Sequence, residues 1–327
     1  MSAVNGSAMR VLVTGATGTI GRATVAVLLQ RGHAVVALVR PGGAARVALP
    51  AACTVREADV LDAAAVARDG LCGERFDAWL SCLASRTGEP ADAWAVDHRA
   101  HSQLLGLARA HGVRHVVLLS ALCVQKPRLA FQQAKLAFEA ELQASGLRFS
   151  IVRPTAFFKS LSGQVARVQA GKPFLVFGDG RLTACKPISD RDLADYLAGC
   201  LDDPARHDRV LPIGGPGPAI APLDQAAMLE RLLGRPVRVK HVPVALLDGI
   251  AAALALAGRV WPPLRAKAEL ARIGRYYATE SMLAWDAARG EYDADATPEH
   301  GRDTLEAHCA AMLRGEVADQ RREHAVF

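Results

Sequence analysis

The first half of the chain alternates short unbroken apolar runs with stretches in which apolar residues recur every three or four positions. Residues 10–14 (RVLVT), 34–39 (AVVALV), 54–58, 77–83 (DAWLSCL), 115–120 (HVVLLS) and 149–153 (FSIVR) read as six strands. Continuous apolar runs, without polar alternation, suit parallel strands covered on both faces. Between them 22–31, 63–70, 96–111 and 132–145 keep a helical rhythm. Gly32, Gly112 and Gly146 stand where three of these helices should stop. This alternation predicts an α/β fold: a doubly wound parallel (Rossmann) sheet with right-handed crossovers.

The rhythm breaks after Pro154, and glycine and proline become frequent. The expected organisation is a disordered start over 1–8, a Rossmann domain over 9–155, and a smaller, interleaved C-terminal region over 156–327. A short strand at 209–213 is expected to return to the sheet. Further helices are expected at 223–233, 244–257, 264–273 and 304–313.

The strongest local motif is Gly15-Ala16-Thr17-Gly18-Thr19-Ile20-Gly21, a GxxGxxG turn between the first strand and the first helix. Gly15 permits the tight turn, Gly18 lets the backbone approach a pyrophosphate, and Gly21 lets helix and strand pack closely. The phosphates then sit where free N–H groups and the helix dipole favour an anion. Thr17, Thr19 and Ile20 belong to the same cradle. The second strand ends Val39-Arg40-Pro41, with no acid before Glu57. A carboxylate there would bond a ribose 2′-OH, whereas Arg40 favours a 2′-phosphate and hence NADP. Asp59 and Val60 are expected near the adenine, and Pro154, which stops the sixth strand, is a further cofactor-binding candidate.

Composition narrows the class. The chain of 327 residues is 51% hydrophobic and 22% charged, which excludes disordered and fibrous classes. Its 39 basic residues against 33 acidic ones give a net +6, spread without a basic stripe, so no nucleic-acid partner is expected. The seven cysteines lack CxxC spacing and read as buried reduced thiols in the cytoplasm. His98 and His101 are three apart on a helix, but no partner at metal spacing supports a metal site, and none is expected. Residues 1–9 lack the basic start of a signal peptide, and no uncharged stretch is long enough to span a bilayer.

Only 17 residues are aromatic: nine Phe, four Trp and four Tyr. The glycine motif resembles the short-chain dehydrogenase/reductase superfamily, in its extended or atypical branch. Typical members carry a Ser after the fifth strand and a Tyr-x-x-x-Lys on the next helix. Here the fifth strand ends in Ser120, and the following helix has Lys135 with Phe131 four residues before it. No Tyr-x-x-x-Lys occurs anywhere in the chain. Ketone reduction makes an alkoxide that needs a positioned acid, and Phe131 has no proton to give. Two chemistries remain: reduction of a conjugated C=C bond, where delocalisation carries the charge, or NADP binding without turnover in a regulator or assembly protein. Lys135 can hold nicotinamide ribose hydroxyls by charge-assisted hydrogen bonds; on spacing alone it also reads as a solvated helix lysine.

A narrower likeness follows from 119–127 (LSALCVQKP), 131–135 (FQQAK), 151–160 (IVRPTAFFKS), 177–180 (FGDG) and 184–189 (ACKPIS). These segments resemble the divinyl chlorophyllide (or protochlorophyllide) 8-vinyl reductases of chlorophyll and bacteriochlorophyll biosynthesis. The resemblance runs from about Met9 to about Ile213. It implies NADPH as cofactor, a Mg-tetrapyrrole as substrate, and reduction of a vinyl group to ethyl. Another conjugated alkene is the neighbouring alternative.

Seven of the nine phenylalanines fall within 131–177. Rings can stack on a flat macrocycle, and Phe131, Phe157 and Phe158 are the candidates; Phe138 and Phe149 read as core. Lys159 and Lys186 are candidates to pair with a substrate carboxylate. Helix 244–257 is apolar on nearly all sides and reads as a core helix or subunit contact. Peripheral contact with a photosynthetic membrane is the alternative for an enzyme with a lipophilic substrate.

Overall fold

The computed structural model describes residues 8–46, 48–261 and 263–317. Of the start expected to be disordered, all but Ala8 lies outside the described residues. The strands are β1 (Arg10–Thr14), β2 (Ala34–Val39), β3 (Thr54–Glu57), β4 (Ala78–Ser81), β5 (His115–Leu119), β6 (Arg148–Pro154), β7 (Phe174–Phe177), β8 (Arg209–Ile213), β9 (Val239–Val242), β10 (Ala284–Asp286) and β11 (Glu291–Asp293). Seven of them form one sheet in the order β3-β2-β1-β4-β5-β6-β8, and the pairings recorded from β3 through β6 are parallel. The strand order reverses between β1 and β4. In open α/β sheets the crevice at such a switch point, beyond the carboxyl ends of the strands, takes the ligand.

The chain forms two compact units. The first comprises 1–85, 90–153 and 190–211; the second comprises 86–89, 154–189 and 212–327. The return to the first unit therefore starts at 190, with the helix Asp190–Gly199, rather than at 209. That helix packs on Thr19–Gln30, and Arg31 reaches Asp195 at 2.6 Å. Its charged sequence, DRDLADYLAG, hides a buried stripe of Leu193, Ala194, Tyr196 and Leu197.

In the first unit β1, β2, β4 and β5 are buried on both faces, which is why they carry unbroken apolar runs, whereas β3 (TVRE) is mostly exposed. Trp79 on β4 is fully buried and its ring lies 6.3 Å from that of Phe138 on the helix Ala130–Ala144. Phe138 is core, as expected, and Phe149 packs half-buried against the same cluster. The helix expected from 96 starts earlier, at Pro90, a residue suited to a first helical turn because it has no N–H to leave unpaired. Between Pro90–Ala93 and His101–Ala110, residues Trp94–Ala100 form a π-helical turn, one residue wider than an α-turn.

In the second unit β7 and β9 pair in parallel, and β10 and β11 pair antiparallel. Phe158, Val165, Phe174, Val176, Met228, Leu229 and Leu305 form its core. The helices Val244–Ala257 and Pro263–Tyr277 pack against each other. The expectation that 244–257 is a core helix is corrected here: Ala251 is its one buried residue. An apolar sequence fixes what a helix would bury, not whether this chain supplies the partner.

Candidate active site

The glycine turn follows β1, at the switch point. Its three glycines have three different reasons. Gly15 has φ +74°, and a Cβ there would lie 2.4 Å from the Cys82 carbonyl group. At Gly21 a Cβ would lie 2.2 Å from the Gly15 carbonyl oxygen. At Gly18 a Cβ would meet only that oxygen, at 3.5 Å, an ordinary contact. The protein itself thus requires Gly15 and Gly21, while Gly18 leaves open space over the first turn of Thr19–Gln30. Gly18 is the N-cap of that helix and no side chain caps it. Free N–H groups beside an open glycine fit a pyrophosphate.

At the end of β2, Arg40 is exposed. Glu57 is aligned with Val39 across the β2–β3 pair, yet its carboxylate accepts from Gly42 N and Ala44 N, both at 3.0 Å. Those two hydrogen bonds lower its pKa and commit it to holding the loop after Arg40. Asp59 accepts from Leu61 N at 3.0 Å and is exposed, whereas Val60 is buried in the core cluster.

Ser120 and Lys135 are brought together. They line one pocket with Asp97, His101, Leu118, Leu119 and Phe138. Lys135 Nζ donates to Asp97 Oδ1 at 3.0 Å; the Asp97 side chain is fully buried and that of Lys135 is 12% exposed. Asp97 also accepts from Ser85, through the hydroxyl at 2.6 Å and the backbone N–H at 3.3 Å. Lys135 is therefore not a solvated helix lysine. Ser120 donates its hydroxyl proton to Glu139, which also accepts from Arg153. Committed this way, Ser120 leaves its oxygen lone pairs as acceptors. Phe131 lies one turn before Lys135, buried at 9% exposure.

A buried relay reaches the pocket at His101. Trp79 Nε1 donates to Thr14 Oγ1 at 3.1 Å, and Thr14 donates to Ser81 Oγ at 3.0 Å. Ser81 Oγ lies 2.9 Å from His101 Nε2, and His101 Nδ1 lies 2.8 Å from the Val96 carbonyl oxygen. A carbonyl only accepts, so Nδ1 carries the proton and Nε2 accepts from Ser81. Burial first, and the Lys135 charge second, push the His101 pKa down to about 4, which keeps the ring neutral.

Sequence reasoning missed Asp97, Glu139 and Arg153. Glu139 is four residues after Lys135 and so shares its helix face; Arg153 is a charge at the carboxyl end of a parallel strand. Either position is visible in the sequence, but a charge there reads as solvated until the fold buries it.

The remaining candidates lie in the second unit. Pro154 is buried at the end of β6. Phe157 is half-buried, and its backbone bridges to Ile188. Phe158 is 4% exposed and packs in the core, 5.4 Å from the His308 ring, so its ring serves packing. Lys159 is half-buried on the short helix Phe158–Leu161. Lys186 is buried and pairs with Glu299 at 2.5 Å, so a substrate carboxylate would have to displace that partner. Burial pushes the Cys185 thiol up to about 12, which keeps it a thiol.

A family model described as NAD(P)H-binding matches residues 15–204. Together with the switch-point glycine turn it defines the class: an NAD(P)H-binding protein of Rossmann type. The chain is 49% identical over 323 residues to the chloroplastic divinyl chlorophyllide a 8-vinyl-reductase of Oryza sativa subsp. indica, covering 95% of this chain and 80% of the relative. The protein of that name from Arabidopsis thaliana is 44% identical over 328 residues, covering 95% and 78%. The chain belongs to the divinyl chlorophyllide a 8-vinyl-reductase family. An NADPH-dependent quinone oxidoreductase from Escherichia coli, solved with NADPH, superposes with a TM-score of 0.67 at 20% identity, covering 93% of this chain and 99% of that one. At that identity the likeness concerns the fold.

Proposed function

We propose that this chain is an NADPH-dependent oxidoreductase that reduces the 8-vinyl group of a divinyl chlorophyllide-type Mg-tetrapyrrole to ethyl, in chlorophyll or bacteriochlorophyll biosynthesis. The observation that carries the reading is family membership along nearly the whole chain. The local chemistry agrees with it. Phe131 stands where related reductases of carbonyls have a tyrosine acid, and a vinyl group conjugated to a macrocycle makes no alkoxide to protonate.

NADPH, when bound, supplies a hydride to the vinyl terminus, and a proton from water or a protein group completes the ethyl group. Gly15, Thr17, Gly18, Thr19, Ile20 and Gly21 would hold the pyrophosphate. Arg40 meets the 2′-phosphate, because Glu57 is committed to the loop beside it. Asp59 and Val60 border the adenine. Lys135, oriented by Asp97, donates to the nicotinamide ribose hydroxyls, and Ser120 offers an acceptor in the same pocket. Phe131 is the substrate-facing candidate of the first unit; the second unit, taken by itself, offers Phe157 and Lys159. Work on a lipophilic pigment implies peripheral contact with a photosynthetic membrane; among the described residues no helix is long and apolar enough to cross one.

Purified protein, NADPH and divinyl chlorophyllide should give a blue shift of the Soret band as the vinyl conjugation is lost. Tight NADPH binding with no spectral change would overturn the assignment in favour of a non-catalytic NADP-binding protein.

A further inference from the structure

The helix pair 244–277 carries an apolar surface that none of the described residues of its own unit covers. Leu246 is 52% exposed, Ile250 41%, Leu256 64%, Val260 90% and Trp261 67%. Leu246 and Ile250 are one turn apart on the helix Val244–Ala257, Leu256 lies in its last turn, and Val260 and Trp261 follow in the turn after it. Large exposed apolar patches mark interaction sites.

The charge around this patch is one-sided. From Gly249 to Ala268 there is no Asp or Glu, but there are Arg259, Arg265 and Lys267. The two flanking acids are spent: Asp248 pairs with Arg275 at 2.8 Å, and Glu269 with Arg272 at 3.2 Å. Arg265 Nε donates to the Gly258 carbonyl oxygen at 2.9 Å, which holds the turn in shape. Arg259 and Lys267 are exposed beside Val260 and Trp261.

We infer that the turn of this helical hairpin docks on an anionic bilayer surface. Val260, Trp261 and Leu256 enter the headgroup–acyl boundary, and Arg259, Arg265 and Lys267 meet anionic headgroups. The 14-residue helix is roughly 21 Å long, short of the ~30 Å hydrocarbon core, so it lies on the membrane instead of crossing it. A second copy of the chain fits less well. A two-fold contact through this patch would set the three cations against their own copies. The inference deepens the peripheral contact in the functional reading above, and its test needs no catalysis.

The test is flotation of the full chain with vesicles of mixed phosphatidylglycerol and phosphatidylcholine, or of phosphatidylcholine alone. About tenfold more protein should float with the anionic vesicles, and raised salt should remove the excess. Val260→Ser/Trp261→Ser should lower flotation about tenfold on the anionic vesicles while NADPH titration stays unchanged, which shows that the fold survives. Arg259→Gln/Lys267→Gln should lose the preference for anionic lipid. No flotation of the wild-type chain with either vesicle, or equal flotation of the Val260→Ser/Trp261→Ser variant, would overturn the inference. So would a concentration-dependent dimer in sedimentation velocity that this variant dissolves while vesicles capture nothing. A chain that floats without reducing pigment keeps the inference and costs the functional reading; a chain that reduces pigment without floating does the reverse.

Discussion

Around the helix Ala130–Ala144 polar side chains are inside; along the hairpin 244–277 apolar side chains are outside. Asp97 and Glu139 are each 1% exposed, as is His101, and each has hydrogen-bond partners within its own unit. Leu256, Val260 and Trp261 are mostly exposed and have no cover among the described residues. The two departures from the ordinary inside–outside rule differ in kind. A buried charge without a partner costs several kcal/mol, so the chain must carry the partner itself. An exposed apolar side chain costs little in the isolated protein and can leave its partner to another surface. The first arrangement is a closed set of interactions; the second is an open one.

The largest effect should come from opening the closed set. Lys135→Met leaves the fully buried Asp97 carboxylate unmatched and should cost about 3–5 kcal/mol in chemical denaturation. NADPH-dependent turnover should fall at least about a hundredfold. Unchanged activity would remove Lys135 from the site.

Next in size is the turn itself. Gly21→Ala sets a Cβ against the Gly15 backbone and should cost about 3 kcal/mol along with NADPH binding. Gly18→Ala should change stability by less than about 1 kcal/mol yet weaken NADPH about tenfold in a fluorescence titration. Equal damage from both would show that Gly18 serves the fold and not the ligand.

The neutral imidazoles give a pH test. His101 and His115 are each pushed down to about 4, His101 by burial and then Lys135, His115 by burial and then His207. Unfolded, each titrates near 6.5, so between pH 6.5 and about 4 the unfolded chain binds more protons. Stability is full above pH 6.5 and falls as pH drops through that window, by roughly 1.4 kcal/mol per pH unit for each ring. His101→Gln should remove about half of this slope in thermal melts.

Arg40→Ala should lower kcat/KM for NADPH about tenfold, a loss of roughly 1.4 kcal/mol, and leave NADH unaffected. Equal loss with both cofactors would mean that Arg40 does not read the 2′-phosphate. The smallest effect belongs to the open set. Leu256→Ser or Val260→Ser should shift unfolding by no more than about 0.5 kcal/mol, because neither is packed. A larger loss would show that the hairpin is part of a core after all.

The same contrast explains what could be read before the structure. β1, β2 and β8 have the expected bounds, and β3–β6 differ only at their ends; the plainest of them, β1, β2 and β4, are covered on both faces and write their burial as apolar runs. The glycine turn was legible because conformation and close approach leave few alternatives to glycine. Ser120 and Lys135 were found by spacing. Asp97, Glu139 and Arg153 were not, since a charge reads as solvated until tertiary contacts bury it. The β7–β9 pair joins segments more than 60 residues apart, and no local pattern announces it. Asp190–Gly199 was hidden by its charged outer face. Helix 244–257 was correctly bounded, but its partner is not written in its own sequence.

The wide turn Trp94–Ala100 sets the phase between Pro90–Ala93 and His101–Ala110. Each residue of a helix advances the facing direction by roughly 100°. Asp97 lies inside the wide turn, and His101 begins the helix after it. Deleting one residue from the stretch would swing Asp97 away from Lys135 while His101 kept its place against Ser81. The turn works as a vernier between two mechanical parts: one residue of length, too small to alter the fold, decides whether the carboxylate and the lysine meet.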